Sequence, residues 1–245
     1  DLKKISGQLT FKIDEISRTI NSLQASGLDR SLPALAAGLN DLPNIKGALE
    51  LEARVSGTLD HPEFELDLGA ENLFLKNLSL PAVKIKAGGN LDKLDLKQLA
   101  IDFEQGKISA SGHLSRSSGR PSAPLRLQAQ VELNKINLAQ LADFLGESYK
   151  SYLNGYLSGS ASGSGYLNAP QAQFNLTVEK PQLQNLPMDL LHLSGVYANE
   201  EIKLDELLLA WPGGQIAGHL GFKPRSGEIM ADLSGEKLKA SYFSS

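Results

Sequence analysis

The chain contains no cysteine, so its redox compartment cannot be read from disulfides; a large core or stacked repeats would not need them. Aromatic residues are scarce at 6% and charge is nearly balanced at −4. No basic run appears, which argues against nucleic-acid binding through phosphate neutralisation. There is no initial methionine, signal peptide or apolar run of membrane-spanning length. The chain also starts and stops inside repeat units, so it reads as a fragment of a longer protein whose targeting and anchoring segments lie elsewhere. The hydrophobic share of 41% is ordinary for a folded, water-soluble chain.

What the sequence has in quantity is alternation. In Glu63 to Leu68 the carboxylates point one way and Phe64, Leu66 and Leu68 the other. Leu125 to Leu133 is the longest clean case, with Leu127 and Val131 among five apolar residues on one face. Further sets are Leu94/Leu96, Leu99/Ile101/Phe103 and Ile108/Ala110, each read as separated by a turn. Phe174/Leu176/Val178, Ile202/Leu204 and Leu207/Leu209/Trp211 follow the same rule. Turn-rich strings such as Ala87-Gly-Gly-Asn90 and Pro212-Gly-Gly214 divide the chain into about sixteen short strands. Helical spacing interrupts at Asp14 to Ala25, Ser31 to Ala37 and Asn137 to Tyr152; the last has an Asn cap and sets Leu138, Leu141, Ala142 and Leu145 on one face.

The pattern also recurs. Gly57-Thr-Leu-Asp-His-Pro62 matches Gly165-Tyr-Leu-Asn-Ala-Pro170 at an offset of 108 positions, and without a gap Gly47 falls on Gly155, Leu66 on Phe174, Leu99 on Leu207 and Phe103 on Trp211. Ser111-Gly-His-Leu114 meets Ala217-Gly-His-Leu220 after a slip of two, which keeps each side chain on its own face. We read a tail of a preceding repeat over 1–30, one unit over 31–136 and a second over 137–245, forming one continuous structure. The sheets need cover for one apolar face, and few helices are available. A sandwich, a barrel or an open gutter would supply it, and a gutter alone extends simply by adding copies. The expected fold is mainly β: an elongated, curled antiparallel sheet with an apolar interior and a few short helices, about 75 Å long at the usual strand spacing.

Catalytic signals are weak. His61, His113, His192 and His219 lack metal-ligand spacing, and the carboxylates sit on the polar side of the alternation. Ser158 to Gly165 is rich in Ser and Gly but lacks the lysine of a phosphate loop, and it aligns with the strand Leu49 to Gly57, so it reads as a small-residue strand whose inner face is kept shallow. No catalytic residue, metal or cofactor is expected. The apolar stripes fit a packed core and a ligand groove equally, and a smooth aliphatic wall without polar anchors suits acyl chains.

The succession Gly47-Ala-Leu49, Gly57 to Pro62, Asn72-Leu73 and Ser111 to Leu114, with partners at Gly155, Gly165 to Pro170 and Gly218 to Leu220, resembles the repeats of the TamB (translocation and assembly module) family and the wider AsmA-like group. That resemblance covers about residues 31 to 240. It implies a β-taco in the periplasm of a Gram-negative envelope, in a parent anchored in the inner membrane, carrying phospholipids between the inner and outer membranes. It further implies a partner barrel of the TamA type in the outer membrane, and no enzyme activity. The expected groove lining is Phe64, Leu66, Leu68, Leu99, Ile101, Phe103, Leu127, Val131, Phe174, Leu176, Leu207, Leu209 and Trp211. The other reading is a scaffold that assists outer-membrane protein assembly by pairing strands with a client.

Overall fold

The computed structural model describes residues 4–16, 45–75, 78–116, 123–145, 154–183 and 186–237. These are mainly antiparallel β structure, and the chain divides into two compact units, residues 1–104 and 105–245. The first unit holds β1 (Gly7–Ile13), β2 (Ile45–Gly57), β3 (Pro62–Leu75), β4 (Leu78–Asn90) and β5 (Lys93–Asp102), each paired with the next. The second opens with β6 (Lys107–Arg116) and β7 (Leu125–Asn137), followed by helix α1 (Leu138–Leu145). It continues through β8 (Tyr156–Tyr166), β9 (Ala169–Glu179), β10 (Gln182–Leu183), β11 (Leu186–Pro187), β12 (Leu190–Ala198), β13 (Glu201–Trp211), β14 (Gly214–Lys223) and β15 (Glu228–Glu236). Its ladder runs β6-β7-β8-β9-β12-β13-β14-β15, while among the described residues β10 and β11 pair only with each other. In neither unit does the last strand return to the first, so neither closes into a barrel among the described residues.

Local chemistry explains where the strands turn. Asn90 Oδ1 accepts the amides of Asp92 and Lys93 at 2.9 and 3.1 Å, an Asx arrangement that reverses the chain between β4 and β5. Gly57 has φ 100° and Gly165 φ 111°, and at both a Cβ would run into the backbone across the turn, so glycine is required. The string Ala87-Gly-Gly-Asn90, expected to be a turn, instead belongs to β4, and the reversal falls at Leu91 and Asp92. Its glycine serves another purpose: a Cβ at Gly89 would collide with the carbonyl of Lys93 on the neighbouring strand.

The break expected between Leu96 and Leu99 is also absent. Both lie in β5, where Ala87 pairs with Leu96 and the preceding Lys86 with Gln98, leaving Lys97 as the extra residue of a β-bulge. Leu204 and Leu207 belong likewise to the single strand β13, which bulges against β12 and β14. Such bulges bend and coil a sheet while returning the apolar residues to one side. The two bulges lie 108 positions apart. At the same separation, φ is positive at Gly47 and Gly155, Gly57 and Gly165, and Asn72 and Lys180. Three buried pairs also keep it: Ala70 and Val178, Leu80 and Met188, Phe103 and Trp211.

The two units differ at one hairpin. In the first unit β3 and β4 run unbroken from the sheet towards the tip. In the second, the corresponding hairpin is divided into β9 with β12 and the small pair β10 with β11. Pro181, which has no N–H to give a ladder, sits at the break and its carbonyl accepts the amide of Met188 at 3.0 Å.

Helix α1 begins where the Asn cap places it. Asn137 Oδ1 accepts the amide of Ala139 at 3.0 Å, and the Leu138 amide donates to the carbonyl of Gly155 at 2.9 Å, tying the helix start to the approach of β8. Ala142 is buried. The expected extension to Tyr152 lies outside the described residues, as do Ser31 to Ala37 and all of Asp14 to Ala25 beyond Ile16.

Candidate functional site: an apolar face on each unit

Directly opposed residues in an antiparallel ladder share a face, so the register shows which side chains stand together. In the first unit four rows cross all five strands: Ile13–Leu49–Ala70–Val83–Ile101, Phe11–Leu51–Leu68–Ile85–Leu99, Leu9–Ala53–Leu66–Ala87–Leu96 and Gly7–Val55–Phe64–Gly89–Leu94. No polar side chain enters any of them. At one end the rows are covered: Ala70 is buried, as is Phe103 just past β5. Towards the other they open, with Phe64 37%, Leu94 42%, Val55 43%, Phe11 46% and Leu9 60% exposed.

The second unit repeats this arrangement with a different relief. One row runs Ile108–Leu133–Gly159–Leu176–Leu193–Leu207–Gly218–Leu233, and the next Ala110–Val131–Ala161–Phe174–Gly195–Leu204–Leu220–Ala231. Strand β8 contributes only Gly159, Ala161, Gly163 and Gly165 over this stretch, between Leu133 and Val131 on one side and Leu176 and Phe174 on the other. Small residues between two large rows leave a trough along β8. Its walls stand two strand spacings apart, about 10 Å between backbones. Gly159 is fixed by backbone approach, since a Cβ there would strike the carbonyl of Asn175. Ile136, Val178 and Trp211 are buried at the end of the strands nearest α1, whereas Ile229 and Leu233 on β15 are largely exposed.

The opposite faces are polar. In the first unit Lys86 pairs with Asp67 at 2.7 Å and Lys97 with Glu65 at 2.9 Å, while Glu52 accepts from Arg54 and Gln8 at 2.6 and 2.8 Å. Lys97, which both bonds and attracts the Glu65 carboxylate, holds its pKa below the ordinary value. A cleft of about 200 Å³ here is lined by Glu52, Glu65, Asp67, Arg54, Lys86 and Lys97, as many acids as bases. Such a set neutralises itself and gives no preference to an ion of either sign. In the second unit β6 to β9 present Ser109, Glu132, Ser160 and Asn175 in one row and Ser111, Gln130, Ser162 and Gln173 in the next.

The histidines lie on these polar sides or in turns. His219 is exposed, and its Nδ1–H donates to the carbonyl of Asp205. His192 stands 3.0 Å from the Thr177 hydroxyl and 3.6 Å from the Glu206 carboxylate, and His61 caps the turn after Gly57. Among the described residues no group of three or more His, Asp or Glu side chains is placed to hold a metal, and no helix is long and apolar enough to cross a membrane.

The structure thus brings Phe64, Leu66, Leu68, Leu99 and Ile101 into the rows of the first unit, with Phe103 at their covered end. Leu127, Val131, Phe174, Leu176, Leu207 and Leu209 fall on the corresponding face of the second, with Trp211 at its covered end. The expected lining did not include Leu51, Ile85, Leu96, Leu133, Leu193 and Leu204, which also stand in these rows. The Ser/Gly-rich stretch expected to be a small-residue strand is β8, and its Gly159 and Ala161 stand between the larger residues of β7 and β9. Comparison with models of known families, with characterised proteins and with solved structures gives no match.

Proposed function

We propose that these faces hold lipid acyl chains, and that the chain is a lipid-conducting segment of an envelope protein of the TamB/AsmA-like type, lying in the periplasm in a parent anchored in the inner membrane. The observation that carries this reading is the set of four apolar rows crossing five strands and opening to water towards one end, where Leu9, Phe11, Val55, Phe64 and Leu94 are exposed. A soluble protein that leaves an apolar face of this extent open has a partner for it. The rows contain no hydroxyl, amide or charge to recognise a head group, so the ligand they suit is a hydrocarbon chain, with its head group left in water.

Each methylene removed from water contributes about 0.8 kcal/mol, and a wall of similar residues spreads that gain over many nearly equal positions. A chain can then shift along the face without a high barrier. In this reading the recurrence at 108 residues marks repeats of one β-taco design with an apolar interior, so the faces of the two units offer comparable sites. The trough along β8 is the best-defined place in the second unit for one extended chain. In the parent protein the phospholipids pass between inner and outer membranes, with a TamA-type barrel as the partner at the far end.

The test is native mass spectrometry with extraction of bound lipid from protein incubated with phospholipid vesicles. Wild type is expected to retain phospholipid. Ala161→Phe, which fills the floor between Val131 and Phe174, is expected to retain less than half as much from the same preparation. Lipid-free wild-type protein would end this reading.

A further inference from the structure

Among the described residues β15 has one ladder neighbour, β14, and all nine of its residues are exposed. Its sequence matches β7: Ala129-Gln-Val-Glu-Leu-Asn-Lys135 aligns with Ala231-Asp-Leu-Ser-Gly-Glu-Lys237. The backbone matches as well. Lys135 has φ 49° and Lys237 φ 53°, an unusual conformation for lysine. At β7 that residue belongs to the bulge that receives β8, and its amide donates to Ser158 Oγ at 3.0 Å.

A second instance of this interface is present. Strand β2 is the counterpart of β8 at the 108-residue offset, and it pairs with β1 so that Leu9 faces Ala53 and Phe11 faces Leu51. In β7 against β8, Val131 faces Ala161 and Leu133 faces Gly159. Both β1 and β7 therefore have a partner of the β2/β8 type, and β15, which shares the left-handed lysine with β7, has no strand on its outer side among the described residues.

We infer that the outer edge of β15 is a docking edge for an extended segment with the pattern of β2, added antiparallel with Leu233 opposite the position of Ala53. This goes beyond the lipid reading and does not depend on it. The register follows by transferring Val131–Ala161 to Leu233, and Leu133–Gly159 to Gly235. At that second position size selects β2 over β8: in β7 a leucine faces a glycine, so in β15 Gly235 leaves room for Leu51. At the bulge, the amide of Lys237 meets Glu50 where that of Lys135 meets Ser158, a stronger bond because the acceptor is charged. The gain per strand is a ladder of main-chain hydrogen bonds plus burial of Ile229 and Leu233, now 64% and 49% exposed.

The experiment uses the full chain, whose lack of cysteine makes Leu233→Cys a unique thiol. Peptides with the sequence of residues 45–57 carry cysteine at position 53 or 54. Disulfide capture is expected at least tenfold faster with position 53 than with 54, because 54 faces the other side of the strand. Equal rates, or no capture, overturn the inference. A second arm keeps the wild-type chain and N-methylates the peptide at odd or at even residues only. One series is expected to lose at least tenfold in affinity and the other to keep it; equal loss in both contradicts edge pairing. A peptide carrying Leu51→Gly is expected to bind several-fold more weakly, and unchanged binding refutes the fit at Gly235.

Discussion

At the scale of single residues, the glycines and one ion pair define what the two faces tolerate. Gly57 occupies a left-handed turn in which its missing Cβ makes room for the carbonyl of His61. Gly57→Ala is therefore expected to cost at least about 1–3 kcal/mol, the usual strain of a non-glycine residue in such a conformation, read as a lower urea midpoint at unchanged slope. On the polar face the Glu65 carboxylate is stabilised by Lys97 across the ladder. A lowered carboxylate pKa gives a contribution that is full above the ordinary carboxylate range and fades as pH falls through the lowered value. In Lys97→Met the Glu65 titration followed by NMR is expected to move up towards that of an ordinary glutamate; an unchanged midpoint would mean that Lys97 is not its cause. Both residues are exposed, so the pair shapes the titration of the polar face more than the stability of the sheet.

At the scale of elements, the bulges and the helix cap carry most of the structural information. Strand character was legible because alternation of apolar and polar residues is the direct imprint of a sheet with one dry face. Strand limits were less legible. The step of three from Leu96 to Leu99 is the same in sequence whether a turn or a bulge produces it, and only the pairing of Lys86 and Ala87 on β4 shows the bulge. Gly88 and Gly89 misled for a related reason: glycine marks a turn and a close backbone approach alike, and here the approach of Lys93 decides it. The cap at Asn137, by contrast, depends on a side chain two residues from the amide it bonds, and could be read locally. Asn137→Ala is expected to cost about 1 kcal/mol, seen as a lower melting temperature with the β signal of the native state retained. A variant as stable as wild type would show that the Gly155 carbonyl alone holds the start of α1.

At the scale of the whole chain, the repeat and the contact division describe different things. The 108-residue pattern places its unit boundary at the end of β7, where a helix precedes a glycine strand. Packing divides the chain after Glu104 instead. A meander in which each strand touches only its neighbours has no reason to make the two boundaries coincide, because sequence repeats mark how the chain was built and contacts mark where strands are most closely associated. The face carrying the candidate site was legible strand by strand, but its continuity across β1 to β5, and the trough along β8, needed the register that joins residues far apart in sequence.

The central claim is that hydrocarbon chains lie against one face of each sheet and not the other. It is tested most directly by placing a photo-crosslinking amino acid at adjacent positions of one strand, Leu66 against Asp67 in β3 and Leu176 against Asn175 in β9, in cells grown with labelled phospholipid. Crosslinking to lipid is expected at Leu66 and Leu176 at least several-fold above Asp67 and Asn175, and Leu99→Arg is expected to reduce the yield at Leu66. Equal yields from the two faces would contradict the account.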